Sequence, residues 1–470
     1  MKLFCPRLAA IVACIACGGS GRAQQLDLDE SNDGVCRYIL DGWIAAQGNA
    51  TGGYGIYSYE TVEEVELNNG TPKLTVHIVE TSAGHVRIES SSPEAGALIQ
   101  AYDGRIGWRS HGPWGIGPMS KGDIQSLLTQ ARLDTARGTI RAYAQYTLLP
   151  PETRNGRPCY VLGASGRQTG EEKWFFDKRN HELVEIDRPT TGNSPGIQMY
   201  FSDFGPTGGL VFPYTIRIVG GKSGITIHRL KLLINPPVDE SSFVLTMGQL
   251  HEINAVAAIL ERHASVYGVD ENGSASRSRV VHWSIDSSAS GLREQATISF
   301  RPPHLVRYEV DTAGMGKTLE VSDGQWGWMS SDVLGFHWLK PAEIATVMSQ
   351  ANSYKLPRLA DAFPLRKLVG ERIVNGRHAV AVALATFAGP DGTYYFDQAA
   401  GRLLRYVPPR PKDPAGTVID FSDFRVVAGI EIPFVTTVSN FAGQTVARLQ
   451  SIENDVPLAD DLFTPPPAGH

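Results

Sequence analysis

Four carboxylates of the chain occur twice at one interval. Glu89, Asp103, Asp177 and Asp203 are followed 220 residues later by Glu309, Asp323, Asp397 and Asp423. Paired carboxylates can do acid–base chemistry when their environments push their proton affinities apart and a nucleophile or water sits between them. The neighbours here point elsewhere. Asp103 and Asp323 stand in Asp-Gly, Asp177 in "FFDKRN" and Asp203 in "FSDF". Aspartate in such apparent turns hydrogen-bonds its local backbone. None of the twelve histidines recurs at the interval. There is no H-E-x-x-H and no P-loop, and no C-x-x-C follows the first 23 residues. Spacing therefore supplies no partnered base, no metal-ligand set and no cofactor cradle. A duplicated enzyme can keep its site in one copy, but the residues as they stand favour a protein that is not an enzyme.

The interval runs through most of the chain. "DGRIGWRS" at 103–110 becomes "DGQWGWMS" at 323–330, and Asn155-Gly156-Arg157 becomes Asn375-Gly376-Arg377. Phe201-Ser202-Asp203-Phe204 becomes Phe421-Ser422-Asp423-Phe424, and Arg87 with Glu89 becomes Arg307 with Glu309. A constant offset this long marks a tandem duplication, and its period is too long for a solenoid. Two units follow, residues 24–246 and 247–470, each large enough for its own core.

Charged residues are 20% of the chain and the net charge is −6, which argues against a nucleic-acid partner. With 49 Gly, 29 Pro and 9% aromatics, the composition is turn-rich and leans to β structure. Residues 1–23 read as a signal peptide: Lys2 and Arg7, the apolar "LAAIVACIA", then Gly21 and Ala23 before a cleavage site. That implies a periplasmic or secreted protein. The alternative is a membrane-anchored lipoprotein, with Cys14 or Cys17 lipidated and "GGSG" as tether. No later run reads as a membrane span. Cys36 and Cys159 remain after cleavage, either as a bridge or as two buried thiols; their counterparts are Val256 and Ala379.

Each unit opens with an amphipathic helix, "RYILDGWIAA" or "EINAVAAILERH". One-sided strands follow, as in "KLTVHIV" and "LVRYEV", the pattern of an antiparallel sheet with one face covered. Asp-Gly suits a type I′ hairpin, which places Trp108 and Trp328 on returning strands. Each is a core anchor or the lining of an apolar cavity. Ile124, Leu127, Leu128 and Ala131 then have helical spacing, as do Ile344, Val347, Met348 and Ala351. In "GITIHRLKLLI" the apolar phase slips between Ile227 and Leu230, which predicts a bulge.

The second copy resembles the LolA/LolB family of periplasmic lipoprotein carriers. The likeness lies in "RPPHLVRYEV" (301–310), "LEVSDGQWGW" (319–328) and "LFTPPPAGH" (462–470). The first copy departs from it, with Thr81-Ser82 in place of Arg301-Pro302. The resemblance implies a mainly β fold with plugging helices (α+β): two tandem incomplete antiparallel barrels of about eleven strands. It also implies a cavity for acyl chains, with Arg301 helping to hold a lid closed. The expected cavity or lid residues are Trp108, Ile124, Leu128, Arg301, Trp328, Ile344 and Met348, with the helical cover partial in the second unit. The expected function is non-enzymatic binding or carriage of lipids, acyl chains or lipoproteins, without a cofactor. The alternative is an envelope-stress sensor or interaction module of RseB-like type, with an envelope protein as partner.

Overall fold

A computed structural model describes residues 33–465, apart from 49–55, 68–72, 94–95, 131–135, 142, 167–169, 191–195, 221–222, 267–277, 289, 303, 353–358, 411–412 and 428. The signal segment, Cys14, Cys17 and Ala131 lie outside the described residues. The chain divides into two compact units between Leu250 and His251.

The first unit runs α1 (Asp33–Ala46), β1 (Ser58–Leu67), β2 (Leu74–Thr81), β3 (Val86–Ser92), β4 (Gly96–Tyr102), β5 (Gly107–His111), β6 (Gly115–Pro118), α2 (Lys121–Gln130) and α3 (Ala136–Arg141). It continues with β7 (Gln145–Arg154), β8 (Arg157–Gly166), β9 (Gly170–Asp177), β10 (Leu183–Arg188), β11 (Ile197–Thr207), β12 (Leu210–Gly220) and β13 (Ser223–Ile234). The second unit runs α4 (Met247–Val266), β14 (Arg279–Ser287), β15 (Arg293–Arg301), β16 (Leu305–Thr312), β17 (Gly316–Ser322), β18 (Gly327–Ser331), β19 (Gly335–Trp338), α5 (Pro341–Asn352) and α6 (Leu359–Ala362). Its later strands are β20 (Leu365–Val374), β21 (Arg377–Thr386), β22 (Gly389–Asp397), β23 (Leu403–Val407), β24 (Val418–Val427), β25 (Ile430–Asn440) and β26 (Gly443–Asn454).

Each unit is one open antiparallel sheet. In the first, β1 to β6 pair in succession, β7 to β13 do the same, and β1 joins β13. The second unit repeats the plan, with β14 on β26 as its joint. The duplication extends to irregularities. The first joint shifts register between Val62 and Glu63, the second between the equivalent His282 and Trp283. Asn155 and Asn375 share left-handed φ, as do Asp203 and Asp423. The phase slip foreseen before Leu230 is the first of these bulges: Arg229 and Lys231 are paired, and Leu230 is left outside and exposed.

Several expectations need correction. Each unit has thirteen strands among the described residues, not about eleven; short returns such as β6 are too brief to show alternation. The Asp-Gly phrase is not a two-residue type I′ turn. Only Gly104 (φ 85°) and Gly324 (φ 89°) have positive φ there, and four residues separate the strands. Asp103 Oδ1 instead accepts from the amides of Arg105 and Ile106, as Asp323 Oδ1 does from Gln325 and Trp326. Asp177 and Asp397 also cap their turns. Asp203 does not: it kinks the middle of β11, at a break in the ladder opposite Pro213–Thr215. Of the two alternatives left open for Cys36 and Cys159, the structure has the two buried thiols and not the bridge. Cys36 lies on the buried side of α1 in the main core, while Cys159 joins Val161, Phe175 and Val184 in a separate cluster. Alternation along β8 accounts for this, because Leu162 and Ala164 face α1 and odd-numbered Cys159 and Val161 face away. The stretch Glu240–Val266 has the length and apolarity of a membrane span, contrary to the sequence reading. In it, α4 buries Ile253, Val256, Leu260 and His263, a one-sided pattern.

The helix-bearing, interior face carries the cores. In the first unit Glu63 and Arg229 interrupt it as a buried ion pair, Nε to Oε1 at 3.2 Å, and Arg229 Nη1 also donates to the Pro213 carbonyl at 3.0 Å. The second unit has Trp283 and Leu449 at these positions, in apolar contact. Removing one partner of a buried pair strands the other charge. Glu63→Ala should therefore cost about 3–5 kcal/mol in urea unfolding. Glu63→Trp with Arg229→Leu, the second unit's solution, should recover most of that loss.

Candidate functional site

The register fixes which side chains lie side by side on the interior face. In the first unit one row reads Ile186, Met199, Ile218, Ile225, Leu67, and the next reads Phe201, Ile216, Ile227, Val65, Leu74. All ten belong to or pack against one core cluster that also holds Cys36, Ile39 and Leu40 of α1. The equivalent rows of the second unit are Tyr406, Ile419, Val438, Thr445, Ser287 and Phe421, Thr436, Ala447, Ile285, Glu294. Four isoleucines have become Thr436, Val438, Thr445 and Ala447. None of these ten side chains is fully buried, whereas six of the first unit's ten are.

The second unit's core is correspondingly divided. One cluster joins α4 and α6 to Val382, Leu384, Tyr394, Phe396 and Leu403. A second holds Val281, Ile298, Phe434 and Leu449, and a third Val306 and Val347. The two half-buried rows run between these clusters, with Tyr406 and Phe421 packed against the first, and are the candidate trough. Along it the side chains are apolar at Ile419, Phe421, Val438 and Ile285, and turn polar towards Ser287, Thr445 and Glu294.

The helices after β6 and β19 lie against this interior face. Ile124, Leu127 and Leu128 pack on the first unit's core. In the second, Ile344 is buried, and Val347 and Met348 cover Val306 and Phe300. The second glycine of the repeated phrase admits them. A Cβ on Gly107 would sit 2.5 Å from Ile124 Cγ1, and one on Gly327 3.2 Å from Ile344 Cγ1. The helices therefore approach the sheet closely at both glycines, and at Gly107 a Cβ would force Ile124 to move.

Charge also differs between the interiors. Arg109 pairs with Asp123 in the first unit. Met329 replaces the arginine, Glu343 the aspartate, and Glu320 stands where the first unit has Gln100. Burial, then Glu343, push the Glu320 carboxyl above the usual range, with His337 opposing. Tyr308 lies opposite Glu320 in the ladder, its phenol pushed up to about 12 by burial and then by Glu294 and Glu320.

Trp108, Trp328 and Arg301 are not on this face. Trp108 is paired with Ala101, which is paired with Arg87; alternation sets all three opposite the core residues Val86 and Ile88. Trp328, Val321 and Arg307 repeat the arrangement. Arg301 follows the interior residue Phe300 and so points outward. It does not latch α5. Its Nη1 donates to the Leu458 carbonyl at 3.1 Å, its Nη2 meets Asp460 Oδ1 at 2.6 Å, and its guanidinium lies 5.2 Å from the Phe463 ring. These groups belong to the strap that follows β26 and ends in the turn Asp460–Phe463. The trough rows escaped the sequence reading. They become visible only when interior positions are compared across the 220-residue interval.

Among the described residues no group of three His, Cys, Asp or Glu could hold a metal. No protein-family model matches the chain. No curated protein matches it. Solved structures do. A putative outer-membrane lipoprotein-sorting protein domain from Vibrio parahaemolyticus is 12% identical, with a TM-score of 0.32 over 44% of this chain and 94% of that one. A LolA-superfamily protein from Nitrosomonas europaea is 12% identical, with a TM-score of 0.32 over 44% of this chain and 97% of that one. MucB is 10% identical, with a TM-score of 0.19 over 90% of this chain and 94% of that one. The chain is similar to LolA-superfamily structures; that each unit is an open half-barrel rests on its own strand order.

Two measurements follow from the site. A raised carboxyl affinity in the folded state means stability that is present below the ordinary glutamate range and lost as pH rises through the raised value. Glu320→Gln should therefore raise the melting temperature at neutral pH and not at pH 4, and a flat difference would contradict the assignment. On the outer face, Trp108 Nε1 donates to the buried Phe243 carbonyl at 2.7 Å, whereas Trp328 Nε1 is buried without a partner among the described residues. Trp108→Phe should cost about 1–3 kcal/mol more than Trp328→Phe in urea unfolding, because only the first strands a carbonyl.

Proposed function

We propose that the chain is a non-enzymatic binder of lipids, acyl chains or lipoproteins in the cell envelope. The second unit's trough is the binding site, and the first unit is a filled copy of the same fold. One observation carries this reading: positions filled by Ile218, Ile225, Ile216 and Ile227 in the first unit hold Val438, Thr445, Thr436 and Ala447 in the second, with their rows half-buried. An apolar concave face must be covered or must hold something apolar.

The dimensions suit a chain. From Tyr406 to Ser287 the first row crosses four strand spacings, roughly 19 Å. Each methylene buried there contributes about 0.8 kcal/mol, so a chain of ten or more carbons offsets the cost of association. The polar end at Ser287, Thr445 and Glu294 would take a headgroup, and the end at Ile419, Phe421 and Tyr406 the tail.

The test refills the trough with the first unit's own residues. The full chain should bind a fluorescent acyl probe saturably. Thr436→Ile, Thr445→Ile and Ala447→Ile together should weaken that binding at least tenfold and raise the melting temperature, since open space accepts the added carbons without strain. Wild-type protein that binds no acyl probe would contradict the reading. A protein partner that co-purifies without lipid would favour a sensor or interaction module of RseB-like type.

A further inference from the structure

The straps that end the two units share a pattern. Glu240-Ser241-Ser242-Phe243 and Asp460-Asp461-Leu462-Phe463 each form a 3-10 turn with an acid three residues before a phenylalanine. Each acid meets a base on the outer face. His85 Nδ1 lies 2.7 Å from Glu240 Oε2, and Arg301 holds Asp460. Each carbonyl before the phenylalanine takes an arginine. Arg87 Nη1 donates to Ser242 at 3.2 Å, and Arg307 Nη1 to Leu462 at 3.1 Å. Glu89 and Glu309 brace those arginines, which gives two of the repeated residues a purpose.

The two straps do not seat equally. Phe243 is fully buried, and its carbonyl receives the Trp108 indole. The second strap's turn buries no residue, and Nε1 of Trp328, a residue 5% exposed, has no acceptor among the described residues. Beside it Phe336 stacks on Trp328 at 6.1 Å and Trp338 meets Phe336 edge-on, the latter two 43% and 59% exposed. Arg307 on the Leu462 carbonyl and Arg301 on the Leu458 carbonyl hold the second strap, and Arg301 adds an ion pair to Asp460, whose side chain is 88% exposed. Such an ion pair is weak and screened by salt.

We infer that this outer face of the second unit is a docking site for an extended peptide with an acidic residue three positions before an aromatic one, which displaces the chain's own strap. The first unit shows what the buried indole lacks: the main-chain carbonyl of a fully seated aromatic residue. Arg301 reads the acid and Arg307 the carbonyl before the aromatic. Phe336 and Trp338 extend the apolar surface on which flanking residues lie. Apolar anchors with a few fixed polar contacts are how extended segments are recognised. The site lies on the opposite face from the trough and does not depend on it.

A synthetic peptide of residues 235–245, the strap that seats fully in the first unit, is the probe. The full chain carrying Asp460→Ala and Phe463→Ala frees the site; Asp460 is exposed and Phe463 half-buried, and a cooperative melt of this chain checks that the fold survives. This chain should bind the peptide saturably and at least tenfold more tightly than wild type, less tightly as salt rises. The same peptide with Glu240→Gln or Phe243→Ala should lose most of the affinity, and so should the freed chain with Trp328→Phe added. A freed chain that keeps its cooperative melt and binds no peptide overturns the inference. So does binding indifferent to Trp328→Phe, or a freed chain that dimerises through its straps and is not dissociated by the peptide.

Discussion

Everything in each unit hangs on the ladder that joins its first strand to its last. Tyr59 to Leu67 pair with Ile225 to Ile234, and Arg279 to Ser287 pair with Thr445 to Asn454. Closing so long a loop costs chain entropy that only an extended, well-registered pairing can repay. Once formed, the joint fixes parity for the whole sheet. A slip of one residue would exchange the interior and outer faces everywhere. The shared bulge at Leu230 in one joint and Gln450 in the other sits inside this ladder, so both copies inherited the parity together with its correction.

On that common frame the copies have moved in opposite directions. The first packs isoleucines across its interior, anchors α1 on Trp174 and Phe176, and seals its strap with the Trp108 bond. The second has lost side-chain volume on the same rows, has Met329 where the first has Arg109, and holds its strap through Arg301 and Arg307. Filled cores confer stability and vacated ones admit ligands. A tandem pair can divide those tasks: one unit keeps a close-packed core while the other gives up packing for access.

Much of this architecture was legible in the residues, and the parts that were not share a cause. The duplication, the opening helices and the amphipathic helices with Ile124 and Ile344 stand out because period and spacing survive substitution. The faces of Trp108, Trp328 and Arg301 were misjudged because alternation assigns a side chain to a face only after the register is known. Arg301 sits one residue from Phe300, and that single step separates a trough residue from a strap residue. The Asp-Gly phrase misled in a related way. Its aspartate caps a four-residue loop through its side chain, so the pair never needed two positive φ angles. The trough itself is written in neither copy alone. Thr445 looks like an ordinary strand threonine until it is set against Ile225.

The central claim is that one unit of the pair is open and the other closed. Native mass spectrometry of the intact chain, saturated with a single-chain amphiphile and then desalted, counts retained ligands directly. One amphiphile per chain is the predicted stoichiometry. Two would mean that the isoleucine rows of the first unit yield as readily as the threonine rows of the second, and none would mean that the trough holds nothing; either count contradicts the account.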